Sequence, residues 1–302
     1  MGMVRDMTTL YIWDSDAGVS AIFPECQAAV WLADGATDVV AANNTNLLSV
    51  GELPVMISDT NRYQGYVAIA TQLGLKFTLE ERALVHLLLD KMLAVANYVY
   101  FINSRNYEGY TRKQFARYFP FPMMYNQPLQ FYGWAQHQAQ YAGLSTNKGG
   151  FFSFDVVGPT EYVNDDNDDE IVEEDEKQLP AMSRLHERQL VKKSQTKAAL
   201  KEANNAARCL HLLDEILTPL KDAAELKVVF PLLVTYIQSL TNPDLPDQFA
   251  ATYLNNKYAD LVSQAQTLAK LWEGELRLIR GPEGLERPSL TNEIRYALGQ
   301  YV

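Results

Sequence analysis

The pattern of the chain changes near Thr78, and this change limits the folds that are available to it. Before Thr78, short apolar runs typical of strands alternate with helical segments, in the order β-α-β-loop-β-β-α. At the change, Thr78 and Glu81 have the spacing of a helix-starting capping box. After it, Leu84, Leu88 and Met92 begin an apolar repeat of three and four, the spacing of one helix face. The chain is therefore predicted to fold as a small α/β unit followed by helices.

Local signals place the elements of the first part. "TLYIW" and "TDVVAA" read as short strands on either side of a helix that begins at Pro24, because proline suits the first turn of a helix. "ELPVMI" supplies a third strand, and the residues after it turn into a fourth edge strand before a helix that begins near Gly65. The loop after the first strand is assigned no regular structure.

This order predicts a thioredoxin-like domain over residues 8–76 and a helical domain over residues 77–302. Together they resemble the glutathione-transferase architecture, α/β plus α. That architecture places a cis proline just before its third strand, so we predict a cis bond before Pro54, although only about 5 to 6% of X-Pro bonds are cis in general. Further helices are predicted over 110–118, 128–141, 183–217, 222–240 and 247–272.

The acidic charge of the chain is concentrated in one segment. The net charge is -11, but residues 161–176 hold ten acidic residues and no Lys or Arg, which leaves -1 for the rest. Without a basic surplus, no nucleic-acid partner is expected, since phosphate binding needs clustered cations. Like charges at this density repel one another and offer little apolar surface to bury. We expect a disordered acidic insertion at about residues 160–180.

The residue types that usually carry chemistry form no recognisable site. Two cysteines lie far apart, which favours a reducing compartment and argues against a disulfide framework. No HExxH spacing, GxSxG elbow or glycine-rich phosphate loop is present. We therefore predict no catalytic residue, no metal and no cofactor. Cys26 is expected to be a small core residue, and His86 a core or boundary residue.

A membrane-spanning helix needs about 20 continuous apolar residues. Residues 228–240 are too short for this, and residues 118–147 are crowded with Gln, Asn and Pro. The first residues show neither a signal-peptide core nor an Arg-rich transit helix. We expect association with a membrane through partners.

A glutathione transferase would need a hydroxyl or thiol near the end of its first strand. Ser15 and Ser20 are available there, but the aspartates beside Ser15 would oppose formation of a thiolate. Gln64 and Gly65 stand where such enzymes use a Glu/Gln-Ser pair to bind the γ-glutamyl carboxylate. Losing that hydroxyl costs about 1.5 to 3 kcal/mol of binding. Ser15, Gln64 and Gly65 are interpreted as a degenerate glutathione site, and the chain is not expected to be an enzyme.

The stretch from Tyr118 to Trp134 carries seven aromatic residues and three prolines, and no charge. An uncharged, aromatic- and Met-rich surface is typical of a permanent subunit interface. The alternative, that most of these side chains pack inside the helical domain, stays open at this point. The candidate interface residues are Phe119, Phe121, Met123, Met124, Tyr125 and Trp134.

Several stretches resemble the metaxin family, and within it the fungal metaxin-one type subunits of thirty-seven kilodaltons. They are "LYIWDSDAGVSAIFPECQAAVWLA", "NNTNLLSVGELPVMI" with "YQGYVAI", and above all "NYEGYTRKQFARYFPFPMMYNQPLQ". The last is the most specific, because no generic structural cause produces a Pro-aromatic-Met-Asn run. The resemblance covers about the first 150 residues. In the helical remainder, the pattern of helices matches the family more than the individual residues do.

The resemblance implies a non-enzymatic scaffold of the mitochondrial sorting and assembly machinery, the SAM complex. Its place would be the cytosolic face of the outer mitochondrial membrane. Its partners would be a second metaxin-like subunit, the β-barrel core subunit and the outer-membrane translocase, and its role would be to support the folding, release and insertion of β-barrel precursors. Two other readings stay open: an active glutathione transferase, and a glutathione-transferase-like adaptor of a soluble complex. A β-barrel protein among the copurifying partners would distinguish the scaffold from both.

Overall fold

The computed structural model describes residues 8–15, 18–33, 37–43, 53–58, 61–144, 184–220, 226–274 and 279–297. The chain divides into two compact units, one formed by residues 1–146 with 206–302 and the other by residues 147–205. Both predicted domains contribute to the first unit, and the boundary between residues 76 and 77 stays a prediction. The acidic insertion predicted at about residues 160–180 lies outside the described residues.

The N-terminal part is built on a four-stranded mixed sheet with the strand order β4-β1-β5-β6. Strand β1 runs parallel to β4 and antiparallel to β5, and β5 is antiparallel to β6. At the centre, Leu10 lies opposite Val39 on one side and Met56 on the other, and all three are buried. The strands are β1 (Thr8–Tyr11), β4 (Thr37–Val40), β5 (Val55–Ser58) and β6 (Asn61–Gln64).

Two helices and a small hairpin complete this part. Helix α1 (Pro24–Leu32) begins at the predicted proline, and α2 (Gly65–Gln72) begins at the predicted glycine. The Leu53–Pro54 peptide bond is cis, the geometry predicted at this position. The loop after β1 contains a hairpin of β2 (Asp14–Ser15) and β3 (Gly18–Val19), which was not predicted. Two-residue strands are too short to show alternation of apolar and polar residues.

The rest of the described chain is helical. Helices α1 and α9 pack together within the first unit, and the Tyr66 hydroxyl donates to the Val228 carbonyl oxygen at 2.7 Å. The helices are α3 (Leu79–Leu87), α4 (Leu93–Asn97), α5 (Ser104–Asn106), α6 (Arg112–Tyr118), α7 (Met123–Tyr141), α8 (Arg184–Leu217), α9 (Val229–Leu240), α10 (Phe249–Lys257), α11 (Ala259–Gly274) and α12 (Leu290–Ala297), with π-helical turns at Leu88–Met92, Tyr98–Ile102 and Tyr107–Thr111 and a 3-10 turn at Gly284–Glu286.

The run Leu79–Ile102 is the long helix that the apolar repeat predicts. Its capping box is confirmed: the Glu81 amide donates to the Thr78 hydroxyl at 3.1 Å, and the Thr78 amide donates to the Glu81 carboxylate at 2.9 Å. By length and a mean hydropathy of 1.3 this run could cross a membrane, which the sequence analysis did not foresee. However, 61% of its most apolar window is buried within the protein, and buried core helices pass the same test.

Several helix boundaries differ from the prediction. Helix α7 starts at Met123 rather than at Pro128, which lies inside it. The buried Met123 and Gln127 occupy its first turns, so packing rather than the proline sets the start. The helix predicted over 247–272 is divided at Tyr258 into α10 and α11, and the one predicted from residue 222 begins at Val229. His86 is exposed, so its expected core or boundary position is wrong.

The segment around Arg280 covers the β4 edge of the sheet. The Arg280 amide donates to the Val39 carbonyl at 2.8 Å, and the Ala41 amide donates to the Arg280 carbonyl at 2.9 Å. The Arg280 guanidinium makes two hydrogen bonds to the Glu286 carboxylate, at 2.9 and 3.0 Å, and its Nε reaches Asp38 at 3.3 Å. A covered edge is protected from pairing with other chains.

The carboxylate of Glu286 makes this cover sensitive to acid. Partial burial alone would raise the pKa of Glu286, but the hydrogen bonds from Arg280, the Glu283 amide and Tyr11, together with the charge of Arg280, lower the pKa below its ordinary value. A carboxyl whose pKa is lowered on folding stabilises the fold above its unfolded pKa, about 4.3, and loses that contribution as the pH falls through its folded pKa.

We therefore expect Glu286→Gln to lower the free energy of unfolding by about 1 kcal/mol at about pH 7, because a charge-assisted bidentate pair is lost. Since glutamine does not titrate, the difference from the wild type should narrow at about pH 3. Urea unfolding of the wild type and the variant at the two pH values measures this difference in the free energy of unfolding. Glu108→Gln, which removes an exposed carboxylate with no ion pair to another described residue, is the control. An equal loss for both variants would contradict the role of the pair.

Candidate functional site

The region at the end of β1 is filled by an aromatic cluster. Trp13 is fully buried and stacks on Phe23 with ring centroids 4.7 Å apart. Four more rings lie against Trp13 at 5.6 to 6.3 Å. A thiol-activating group in a transferase would need an open cleft here. The cluster consists of Trp13, Phe23, Phe101, Phe115, Tyr118, Phe119 and Phe131.

One of the predicted candidate donors lies against this cluster. The Tyr118 hydroxyl donates to Ser20 Oγ at 2.6 Å, and the Ile22 amide donates to the same oxygen at 3.3 Å. Ser20 is buried. Burial raises the pKa of Tyr118, although its hydrogen bond to Ser20 opposes the rise. This neutral hydroxyl pair is hydrogen-bonded inside the protein and stabilises the packing. Activation of a thiol would instead require a hydroxyl that lowers the pKa of the thiol.

Ser15, Gln64 and Gly65, interpreted from the sequence as a degenerate glutathione site, lie shortly after the first strand and at the start of α2. Gly65 has a φ of +77°, and its amide donates to the Pro54 carbonyl at 2.9 Å, so this donor at the start of α2 is used inside the protein. Gln64 is the exposed residue that precedes the helix. Ser15 lies in β2. A serine in place of Gly65 would have to adopt a left-handed conformation, which costs an L residue about 1 to 2 kcal/mol.

The two thiols of the chain lie inside the protein. Cys26 and Cys209 are both buried, and burial raises the pKa of each thiol, which keeps them protonated. The expectation that Cys26 is a core residue is confirmed. The described residues contain no group of three or more His, Cys, Asp or Glu side chains that could hold a metal ion.

The structure divides the six candidate interface residues into two groups. Phe119 is only 3% exposed and packs on Trp13 and Phe115, and Met123 is 5% exposed. These two belong to the core, so their assignment to a free surface is corrected. In contrast, Phe121 is 77% exposed, Tyr125 is 49% exposed, and Met124 is partly exposed.

The exposed residues do not form one patch. Phe121 and Tyr125 meet edge to face, with ring centroids 6.2 Å apart. Trp134 is 36% exposed, but it follows Tyr125 by nine positions along α7. Nine residues of an α-helix correspond to two and a half turns, so Trp134 lies on about the opposite side of α7. The structure brings together Phe121, Met124 and Tyr125 and leaves Trp134 apart.

A cationic helix face borders this patch, although it was not predicted from the sequence. Helix α6 buries Phe115 and Tyr118 and turns Arg112, Lys113 and Arg117 to solvent. Between the two helices lies an open groove of about 300 Å³. We call this surface the α6–α7 corner; it comprises the groove-lining residues Glu108, Arg112, Lys113, Ala116, Met124 and Tyr125, together with Phe121 and Arg117. The three-residue spacing of the buried rings in α6 was the signal that could have revealed it.

Comparisons with known families identify two matching regions of the chain. Residues 26–132 match the family model described as outer mitochondrial membrane transport complex protein, Tom37. Residues 163–301 match the model of the Tom37 C-terminal domain. No curated protein matches the chain significantly.

The matches define the class of the protein. It is an outer mitochondrial membrane transport complex protein with a mixed α/β N-terminal part and a helical remainder. The chain belongs to the Tom37 family, which includes the metaxin-like proteins. The family relationship extends beyond the first 150 residues to which the sequence resemblance was limited, because the C-terminal model covers residues 163–301.

Proposed function

We propose that this protein is a non-enzymatic scaffold subunit of the SAM complex on the cytosolic face of the outer mitochondrial membrane. In this role it supports the folding, release and insertion of β-barrel precursors and couples the complex to the outer-membrane translocase. Its direct partners are a second metaxin-like subunit and the β-barrel core subunit. The observation that carries the proposal is the match to the outer mitochondrial membrane transport complex family over residues 26–132 and 163–301.

The proposal includes a glutathione-transferase-like architecture. The strand order β4-β1-β5-β6 with one parallel pair, the cis Leu53–Pro54 bond and the helical remainder are all compatible with it. Fold alone does not assign an activity, because one architecture hosts many functions. A transferase and a scaffold would differ at two places in this chain.

The first place is the end of β1, where aromatic rings occupy the region that a transferase keeps open. The second is the α6–α7 corner, where Phe121 and Tyr125 face solvent. Exposed apolar patches usually mark binding sites. A filled cleft together with an exposed aromatic patch supports a role in binding and argues against conjugation chemistry.

Isolation of the tagged full chain from mitochondria in mild detergent tests the proposal. We expect an outer-membrane β-barrel protein and a second metaxin-like subunit to copurify, as identified by mass spectrometry. Copurification of soluble cytosolic assemblies alone would favour the adaptor reading. Loss of the β-barrel protein after brief salt washing, with retention of the metaxin-like subunit, would indicate that the direct contact is between the two metaxin-like chains.

We also expect the purified protein to show no conjugation of glutathione to a standard electrophile. The reason is the hydrogen-bonded, buried Ser20 and the absence of a serine hydroxyl at Gly65, whose left-handed backbone disfavours a serine. Absorbance of the conjugate, compared with the uncatalysed rate, is the measurement. Catalysis that disappears in Ser15→Ala or Ser20→Ala would overturn the non-enzymatic assignment.

A further inference from the structure

The α6–α7 corner concentrates positive charge in a protein that is acidic as a whole. The chain has a net charge of -11, yet Arg112, Lys113 and Arg117 lie within six residues on the exposed face of α6. None of the three makes an ion pair with another residue of the described part of the chain. Unpaired cations at one spot attract an acidic partner and speed its association.

The apolar part of the corner lies directly beside these cations. Met124 and Tyr125 line the same groove as Arg112 and Lys113. Phe121 is 77% exposed and packs edge to face on Tyr125, which extends the apolar surface out of the groove. A ligand seated here would meet charge on the α6 side and aromatic or thioether surface on the α7 side.

The size of the groove limits what can occupy it. Small-molecule sites have about 300 to 1,000 Å³ and are mostly enclosed and apolar. A groove of about 300 Å³ that is open to solvent and flanked by charged residues suits one or two side chains of a bound peptide. Its openness to solvent distinguishes it from the enclosed site of a cofactor.

We propose that the α6–α7 corner binds a segment of a partner protein in which an acidic side chain lies next to an apolar one. The carboxylate pairs with Arg112 and Lys113, and the apolar side chain packs against Met124, Tyr125 and Phe121. This inference rests on the proposed scaffold function, because the ligand would be a segment of a partner that the scaffold binds at the α6–α7 corner. Aromatic anchors in a desolvated pocket with charged neighbours are the usual core of such an interface.

The same surface suits a lipid membrane less well. Anionic headgroups are attracted by clusters of cations. However, Glu108 lines the groove together with the cations and would repel a layer of anionic headgroups, whereas a peptide can direct its single carboxylate to Arg112 and Lys113 and away from Glu108. In a peptide complex the Glu108 carboxylate can accept a hydrogen bond from a backbone amide of the ligand. The mixed lining therefore fits a polypeptide with its own donors.

Photocrosslinking identifies the occupant directly. Ala116 lines the groove and is exposed, so a benzoylphenylalanine residue in its place samples the ligand, while the same residue at the exposed Lys270 of α11 is the control. In the intact complex we expect a crosslink from position 116 only, to a partner peptide that carries Asp or Glu beside an apolar residue. A lipid adduct, a crosslink to residues 161–176 of this chain, a neutral or basic peptide, or no crosslink would each overturn the proposal.

Charge reversal tests the cations. Arg112→Glu/Lys113→Glu is expected to weaken retention of the crosslinked partner at least about tenfold, and the effect should shrink with added salt, since screening acts on exposed charges. Lys270→Glu, which reverses another exposed cation, should retain the partner as the wild type does. Thermal unfolding of each variant shows that the fold is intact. Unchanged retention in the double variant, with an intact fold, would contradict the acidic chemistry.

Failure of this inference can be distinguished from failure of the proposed function. If Phe121→Ala releases the partners while the charge reversals do not, the interface stands and the acidic ligand chemistry is wrong. If neither change releases any partner while a β-barrel protein still copurifies, the scaffold function stands and the corner is not its interface. If no outer-membrane protein copurifies with the wild type, the proposed function itself is wrong.

Discussion

Trp13→Ala is expected to lower the free energy of unfolding by about 3 to 5 kcal/mol, the usual cost of removing a large buried aromatic side chain. Trp13 is fully buried and contacts rings from the α1 entry, from α6 and from α7. Its removal would leave a cavity at the junction between the sheet and the helices. Chemical denaturation followed by circular dichroism measures the loss.

Trp134→Ala is the matched control for this prediction. It removes the same side chain from a position that is 36% exposed on α7, so the loss should be smaller, about 1 kcal/mol. Similar losses for Trp13→Ala and Trp134→Ala would contradict the view that the cluster around Trp13 holds the sheet and helices together.

The double variant Phe121→Ala/Met124→Ala is expected to release the subunit from its partners in mild detergent while its melting temperature stays near that of the wild type. Truncation of well-buried interface anchors costs about 2 kcal/mol or more of binding, roughly thirtyfold in affinity. Phe121 is largely exposed in the isolated subunit and Met124 partly so, so little of the subunit's own stability depends on them. Copurification combined with thermal unfolding measures both effects.

Two controls separate an interface effect from a general effect of losing apolar surface. Tyr141→Ala/Leu271→Ala removes exposed apolar side chains elsewhere and should leave the partners bound. Phe119→Ala removes a ring of the buried cluster and should instead lower the subunit's stability by about 3 kcal/mol or more. If the Phe121/Met124 variant unfolds, or binds its partners as tightly as before, the corner is not the interface.

Much of the fold could be predicted because its signals are local. Pro24 and the Thr78–Glu81 pair mark the starts of α1 and α3 through the backbone groups of one helical turn. The apolar repeat of three and four identifies the long helix Leu79–Ile102 without any knowledge of its partners. Element type therefore followed from residues a few positions apart.

The candidate site was predicted only in part. The stretch Tyr118–Trp134 was recognised as unusual, but its composition could not separate core from surface side chains. The cations of α6 were not predicted as part of the site, because local sequence does not show that they border the exposed residues of α7. Their positions follow from Phe115 and Tyr118, whose burial turns the opposite side of α6 to solvent.

By itself the sequence determined the types of most elements, the starts of α1, α2 and α3 and the family, since all of these depend on short-range pattern. Only the tertiary structure decided that Phe119 is 3% exposed and Phe121 is 77% exposed, because the burial of Phe119 depends on Trp13, more than one hundred positions earlier. It also decided that Arg280 extends the sheet beside Val39. Burial and strand pairing depend on contacts with residues that are distant along the chain, and the local sequence pattern does not show which distant residues make these contacts.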